Sequence, residues 1–178
     1  VASGADGAIF TGISDASPEV FTTTGYRPIL GNTISYITTS GAAFSIYGIR
    51  KTTAVGPVYA NGNTISNLSA LSSPTGVIAQ NVHGISYGET FSGGFIRAYN
   101  NTITGLRSGT NPVNNTASTV SGIWVRQASR NSLINNAITN LTTYFANNGT
   151  DQNSSVTGIM AYSADSLRVT GNQINSLS

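Results

Sequence analysis

The side chains able to do acid–base or ligand chemistry are few and scattered. The acidic residues are Asp6, Asp15, Glu19, Glu89, Asp151 and Asp165, and the single histidine is His83. Hydrolysis of a glycosidic bond asks for two carboxyl groups roughly 5–10 Å apart. Counted from the nearest upstream Gly-Ile pair, Asp15 stands at +2, Glu89 at +4 and Asp165 at +6. That spacing assembles no pair. The expectation is that the chain is not an enzyme, with a polysaccharide lyase or glycoside hydrolase as the alternative, and that it holds no cofactor or metal. His83 lacks Asp, Cys or Ser company and reads as an outward-facing surface residue rather than a base or ligand. Trp124 follows Ile123 and should point outward beside Arg126, with Tyr87 or Tyr162 nearby. Such a ring can stack on a sugar, or it can pack under a neighbouring loop.

What must position these residues is a repeat. A stretch reading Gly/Asn, Asn, any residue, Ile, two small or polar residues, Ile/Leu occurs at 31–37, 62–68, 100–106, 135–141 and 171–177, with Tyr36 the one bulky exception. A second motif, an apolar residue, one variable residue and Gly-Ile, travels with it. Its isoleucines are Ile13, Ile49, Ile85, Ile123 and Ile159, in steps of 36, 36, 38 and 36. Two motifs sharing one period are the signature of stacked repeats. No stretch keeps a 3.6-residue apolar period, so almost no helix is expected. The expectation is an all-β chain in which like strands pair in parallel between successive coils at about 4.8 Å.

Stacking the repeats yields five apolar columns: Phe10, Ile46, Val82, Val120, Val156; Ile13, Ile49, Ile85, Ile123, Ile159; Ile29, Ala60, Ala98, Leu133, Val169; Ile34, Ile65, Ile103, Ile138, Ile174; and Ile37, Leu68, Leu106, Leu141, Leu177. Around the third column, Val58/Ala60, Ile96/Ala98 and Leu167/Val169 lie two apart, on one face of a strand. The isoleucines at 49, 85, 123, 159, 65, 103, 138 and 174 are the expected core. Gly31, Gly62, Asn100, Asn135 and Gly171 share one position, and these types best tolerate a left-handed backbone at a tight corner. The next residue is always asparagine: Asn32, Asn63, Asn101, Asn136 and Asn172. Stacked in register, their amides can hydrogen-bond along the stack as an internal ladder. The rival reading of that row is a ligand-binding or ice-binding surface, which the lack of a regular outward Thr-x-Thr array disfavours.

Composition agrees with a β-rich repeat. Only 8% of the 178 residues are charged and the net charge is +2, with no Lys/Arg cluster to suggest nucleic acid. There is no cysteine, so there are no disulfide staples or thiolate metal sites. No run approaches a membrane span. One domain is expected over 1–178: a lead-in at 1–9, then five repeats from 10 to 178. Loop chemistry fills 38–45, 69–81, 107–119 and 142–155. The chain starts on Val1 without a leader pattern, and its last residues are still in the repeat, so it reads as a processed product or a segment of a longer solenoid.

Gly-Ile, a turn, then Asn-Asn-x-Ile resembles the right-handed parallel β-helix of the pectate-lyase-like superfamily, carbohydrate-binding and sugar-hydrolase type. The resemblance covers Phe10 to Leu177. The motif spacing gives about five coils of some 36 residues, a departure from the family's usual shorter coil that is assigned to a protruding loop after most Asn motifs. The Ser/Thr/Asn-rich style also resembles long secreted surface proteins of Bacteroidetes-type bacteria. Asp165-Ser166-Leu167 resembles the O-glycosylation acceptor of such bacteria, which makes Ser166 the candidate. These likenesses imply an extracellular or cell-surface structural or adhesive solenoid. Its partners would be copies of itself stacked head to tail, adjoining solenoid segments, or surface glycans. The alternative is a carbohydrate-binding or polysaccharide-cleaving β-helix with its site on the loops.

Overall fold

A computed structural model describes residues 8–16, 27–40, 44–52, 58–71, 81–88, 94–109, 119–126, 130–144, 156–162 and 166–178. Among the described residues there are fifteen strands and no helix. In chain order they are β1 (Ala8–Asp15), β2 (Arg27–Leu30), β3 (Thr33–Thr39), β4 (Phe44–Lys51), β5 (Val58–Asn61), β6 (Thr64–Ala70), β7 (Asn81–Tyr87) and β8 (Ile96–Tyr99). Then come β9 (Thr102–Ser108), β10 (Thr119–Arg126), β11 (Asn131–Ile134), β12 (Ala137–Thr143), β13 (Val156–Tyr162), β14 (Leu167–Thr170) and β15 (Gln173–Leu177). They form three sheets ordered β1-β4-β7-β10-β13, β2-β5-β8-β11-β14 and β3-β6-β9-β12-β15. Every pairing is parallel, and each repeat contributes one strand to each sheet. The chain is a parallel β-solenoid with a coil of about 36 residues.

The register puts like on like. Ile13 pairs with Ile49, Ile49 with Ile85, Ile85 with Ile123 and Ile123 with Ile159. The Asn-motif isoleucines stack the same way, Ile34 on Ile65, Ile65 on Ile103, Ile103 on Ile138 and Ile138 on Ile174. Ile65, Leu68, Ile103, Leu106, Ile123, Ile138 and Leu141 are fully buried in one continuous core. Each such side chain contributes roughly 1.5–3 kcal/mol by leaving water. Two expected core members stand apart. Ile159 is only partly buried, and Ile174 lies in the interior column yet is 41% exposed, because no described strand stacks on the side of β15 away from β12.

The glycine of the Gly-Ile motif has a steric cause. A Cβ on Gly84 would lie 2.6 Å from the carbonyl oxygen of Gly122 and 2.6 Å from Cγ2 of Ile103. Gly48 and Gly122 meet the same two obstacles. The first and third sheets therefore approach so closely that isoleucine on one side demands hydrogen on the other. The corner before the third sheet is left-handed as its residue types required: Gly31, Gly62, Asn100, Asn135 and Gly171 all have φ between 53° and 66°. A second left-handed column, at Tyr36, Asn67, Gly105, Asn140 and Ser176, bulges the third-sheet strands. It lets Ile34 and Ile37, three residues apart, both line the core.

Three expectations need amending. β1 begins at Ala8, inside the expected lead-in. The third-sheet strands run on to Thr39, Ala70, Ser108 and Thr143, so the first residues of the four variable stretches are strand rather than loop, and the last residues of the first three, Ser45, Asn81 and Thr119, lie in β4, β7 and β10. The protruding-loop assignment itself falls mostly on residues outside those described.

Candidate functional site

The corner asparagines form a continuous polar spine inside the coil. The backbone N–H and Nδ2 of Asn63 both donate to Oδ1 of Asn101, at 3.0 and 2.9 Å. Asn101 treats Asn136 in the same way, at 3.0 and 2.9 Å. The second Nδ2 proton of each goes to a second-sheet carbonyl one rung back: Asn63 to Ile29, Asn101 to Ala60, Asn136 to Ala98 and Asn172 to Leu133. Asn63, Asn101 and Asn136 are almost wholly buried. With each carboxamide oxygen accepting twice and each NH₂ donating twice, the interior of the corner is satisfied. The three middle members of this spine are closed off from solvent, as an internal ladder requires and a ligand-binding row does not.

The outward side of the first sheet carries the aromatic chemistry. Tyr47 and His83, paired across β4 and β7, stack with ring centroids 5.4 Å apart and planes 16° apart. Trp124, on β10, stacks on the imidazole from the next rung, at 5.1 Å and 27°. The guanidinium of Arg50 lies 4.5 Å from the centre of the Tyr47 ring. His83 is 2% exposed and Tyr47 5%, which corrects the reading of His83 as a surface residue. The small neighbours Ser86 and Ser121, in register with Trp124 and His83, leave room for the rings to overlap. Trp124 is half-buried in this stack. Arg126, also half-buried, covers Tyr162 at 5.6 Å. Tyr87 does not join them, since it points inward and is fully buried.

Tyr87 belongs to an interior column that sequence reading missed: Asp15, Lys51, Tyr87, Val125 and Ala161, two residues past the Gly-Ile isoleucine. Asp15 sits at the end of β1, and its Oδ2 lies 3.0 Å from Nζ of Lys51, with the two side chains 13% and 2% exposed. Burial, and then the negative charge of Asp15, pushes the Tyr87 phenol above the usual tyrosine range. The +2 spacing is visible in the sequence, but the column changes chemistry at each rung, and Val125 and Ala161 are its one sign of an inward face.

The remaining carboxylates, Asp6, Glu19, Glu89, Asp151 and Asp165, lie outside the described residues. Among the described residues no group of His, Cys, Asp or Glu could hold a metal ion. Ser166 is exposed at the bend before β14, reachable as an acceptor site would have to be. The outer face of the third sheet bears Thr33/Ser35, Thr64/Ser66, Thr102/Thr104 and Ala137/Thr139, ending in Gln173/Asn175. Short hydroxyls recur on this face, but Thr102/Thr104 is the one Thr-x-Thr pair in it, so a regular Thr-x-Thr array is not formed by these residues.

No family model matches the chain, and no curated protein or solved structure matches it.

Proposed function

We propose that the chain is a structural element of an extracellular or cell-surface assembly: a stiff solenoid rod that lengthens by end-to-end stacking and serves as spacer or adhesive scaffold. The observation that carries this reading is the unbroken spine from Asn32 to Asn172, which runs beside the stacked isoleucines through all five strands of each sheet. Such a stack resists bending because every rung is tied to the next by three sheets and a side-chain ladder. At about 4.8 Å per rung it extends roughly 24 Å, and its length scales with the number of rungs. The likeness to pectate-lyase-like β-helices and to secreted surface proteins of Bacteroidetes-type bacteria, and the sparse charge, support the same reading. Electron microscopy and light scattering of purified protein across a concentration series test it. Rods that lengthen with concentration are expected, and short monodisperse particles at every concentration count against it.

A carbohydrate-binding or carbohydrate-cleaving role is the second reading, supported by half-exposed Trp124 and Arg126 on one outward face. A glycan array with Trp124→Ala as control, together with a lyase assay, separates the two. Turnover abolished by Glu89→Gln or Asp165→Asn would displace the scaffold reading.

A further inference from the structure

The interior column of Asp15, Lys51 and Tyr87 brings a carboxylate and a primary amine into contact inside the coil. Asp15 and Lys51 are register partners on β1 and β4, and Tyr87 is the partner of Lys51 on β7. The ladder continues just past them. The Thr52 N–H donates to the Asp15 carbonyl at 3.3 Å, and the Gly88 N–H to the Lys51 carbonyl at 3.4 Å. The three side chains therefore start from fixed points one rung apart. Nζ of Lys51 lies 3.0 Å from Oδ2 of Asp15, and so at most one C–O bond further from Cγ. Lys51 is nearly closed off from solvent, Tyr87 is fully buried, and the column goes on with Val125, also fully buried.

We propose that Asp15 and Lys51 condense into an isopeptide bond that ties the β1 rung covalently to the β4 rung. This goes beyond the scaffold reading and does not depend on it.

The chemistry needs no oxidant, cofactor or activated donor. Its reactive form is a neutral amine beside a neutral acid, reached when one proton passes from Nζ to the carboxylate across their contact. An interior of low dielectric lowers the cost of that transfer, because it penalises separate charges. The amine lone pair then attacks Cγ and the Nζ–Cγ bond forms. One carboxyl oxygen leaves as water, carrying the proton already passed and a second from Nζ. Tyr87 supplies a proton donor beside this step. Burial keeps its phenol protonated beyond the usual range, and it is near enough to feel the Asp15 charge. Its O–H can donate to the carboxyl oxygen on which negative charge builds as Nζ adds. Free amines and acids do not condense in water, but groups held in contact react with effective molarities up to about 10⁵–10⁸ M. The product amide carries no charge, so the burial that penalises the ion pair favours the bond.

Mass spectrometry of the intact wild-type chain, under denaturing conditions, reads the bond directly. The expected mass is that of the sequence less one water. Trypsin cuts at Arg50, between the two residues, and the segments carrying Asp15 and Lys51 should stay joined after that cut. The double variant Asp15→Leu/Lys51→Met should show its full mass and separate segments. Tyr87→Phe should slow the loss of water after refolding by about 10²-fold, the usual worth of a positioned proton donor. An unchanged rate in that variant would overturn the part given to Tyr87. Wild-type protein that keeps its full mass after long incubation, folded, at neutral pH would overturn the proposal. So would a water loss on segments that separate at Arg50, as cyclisation of Asp6 onto the Gly7 amide would give.

Discussion

Replacing Asn101 by alanine puts the spine under the most direct strain. The side chain accepts from the backbone N–H and Nδ2 of Asn63 at 3.0 and 2.9 Å, and donates to Asn136 Oδ1 at 2.9 Å and to the Ala60 carbonyl at 3.0 Å. Asn136 Oδ1 keeps the backbone N–H of residue 101, so its loss is partial. The two Asn63 donors lose their acceptor in a corner where Asn63 is 1% exposed. At about 1–3 kcal/mol for each buried orphan, Asn101→Ala should cost about 3–5 kcal/mol. A water entering the vacated space would bring the lower figure. Thr102→Ala, one residue on and facing solvent, is the matched control and should stay within about 0.5 kcal/mol of wild type. Urea denaturation followed by far-UV circular dichroism measures both. Asn101→Asp adds a sign. Its second oxygen would face two acceptors, and burial raises the carboxyl's folded-state pKa above the unfolded value of about 3.9. Whatever stability this variant has is therefore present in acid and lost as pH rises through the folded value. If Asn101→Ala denatures within about 1 kcal/mol of Thr102→Ala, the spine does not hold the corner and the reasoning fails.

Other perturbations discriminate between parts of the interior. Gly84→Ala drives a methyl into the Gly122 carbonyl and Ile103, and should cost at least about 1–3 kcal/mol, read as a drop in Tm. Ile103→Asp places an unpaired charge at a fully buried site and should prevent cooperative folding, whereas Ile174→Asp, at a 41% exposed site, should leave the monomer folded and weaken self-association. Lys51→Met strands Asp15 and should destabilise by a few kcal/mol, at the lower end of about 3–5 because Asp15 is partly solvated; the double variant with Asp15→Leu should recover much of the loss. Tyr87 has a raised folded-state pKa, so the stability it contributes is full below the ordinary tyrosine value of about 10 and is lost as pH rises beyond it. Tyr87→Phe should flatten that alkaline decline in pH-dependent melts.

How legible the chain was depends on which way a residue points. Gly-Ile, Asn-x-Ile and the corner glycines repeat because each interior position must fit its own copy one rung away. Sequence alone therefore yielded the period, the register, the left-handed corner and the asparagine ladder. The Asp15–Lys51–Tyr87–Val125–Ala161 column escaped notice because it varies in chemistry. An ion pair, a phenol and two apolar side chains all fill the same space once acid and base neutralise each other across adjacent rungs. His83 was misread for a related reason. Its column of Thr11, Tyr47, Ser121 and Thr157 looks like a solvated face. Lateral stacking of Tyr47 and Trp124 on its two sides covers the imidazole.

The same logic locates where specificity is carried. Interior columns are constrained by their neighbours above and below, so they record the stack and little else. Outward columns vary more, running Arg50, Ser86, Trp124, Met160 along the first sheet, while the third sheet repeats short hydroxyls. A substitution in an interior column must be tolerated by two adjoining rungs, and on the outward side the same holds where Tyr47, His83 and Trp124 stack. The spine obeys the interior rule most strictly, because each of its middle asparagines must both accept from and donate to its own copy one rung away, and no other side chain offers that oxygen and that NH₂ in the same space.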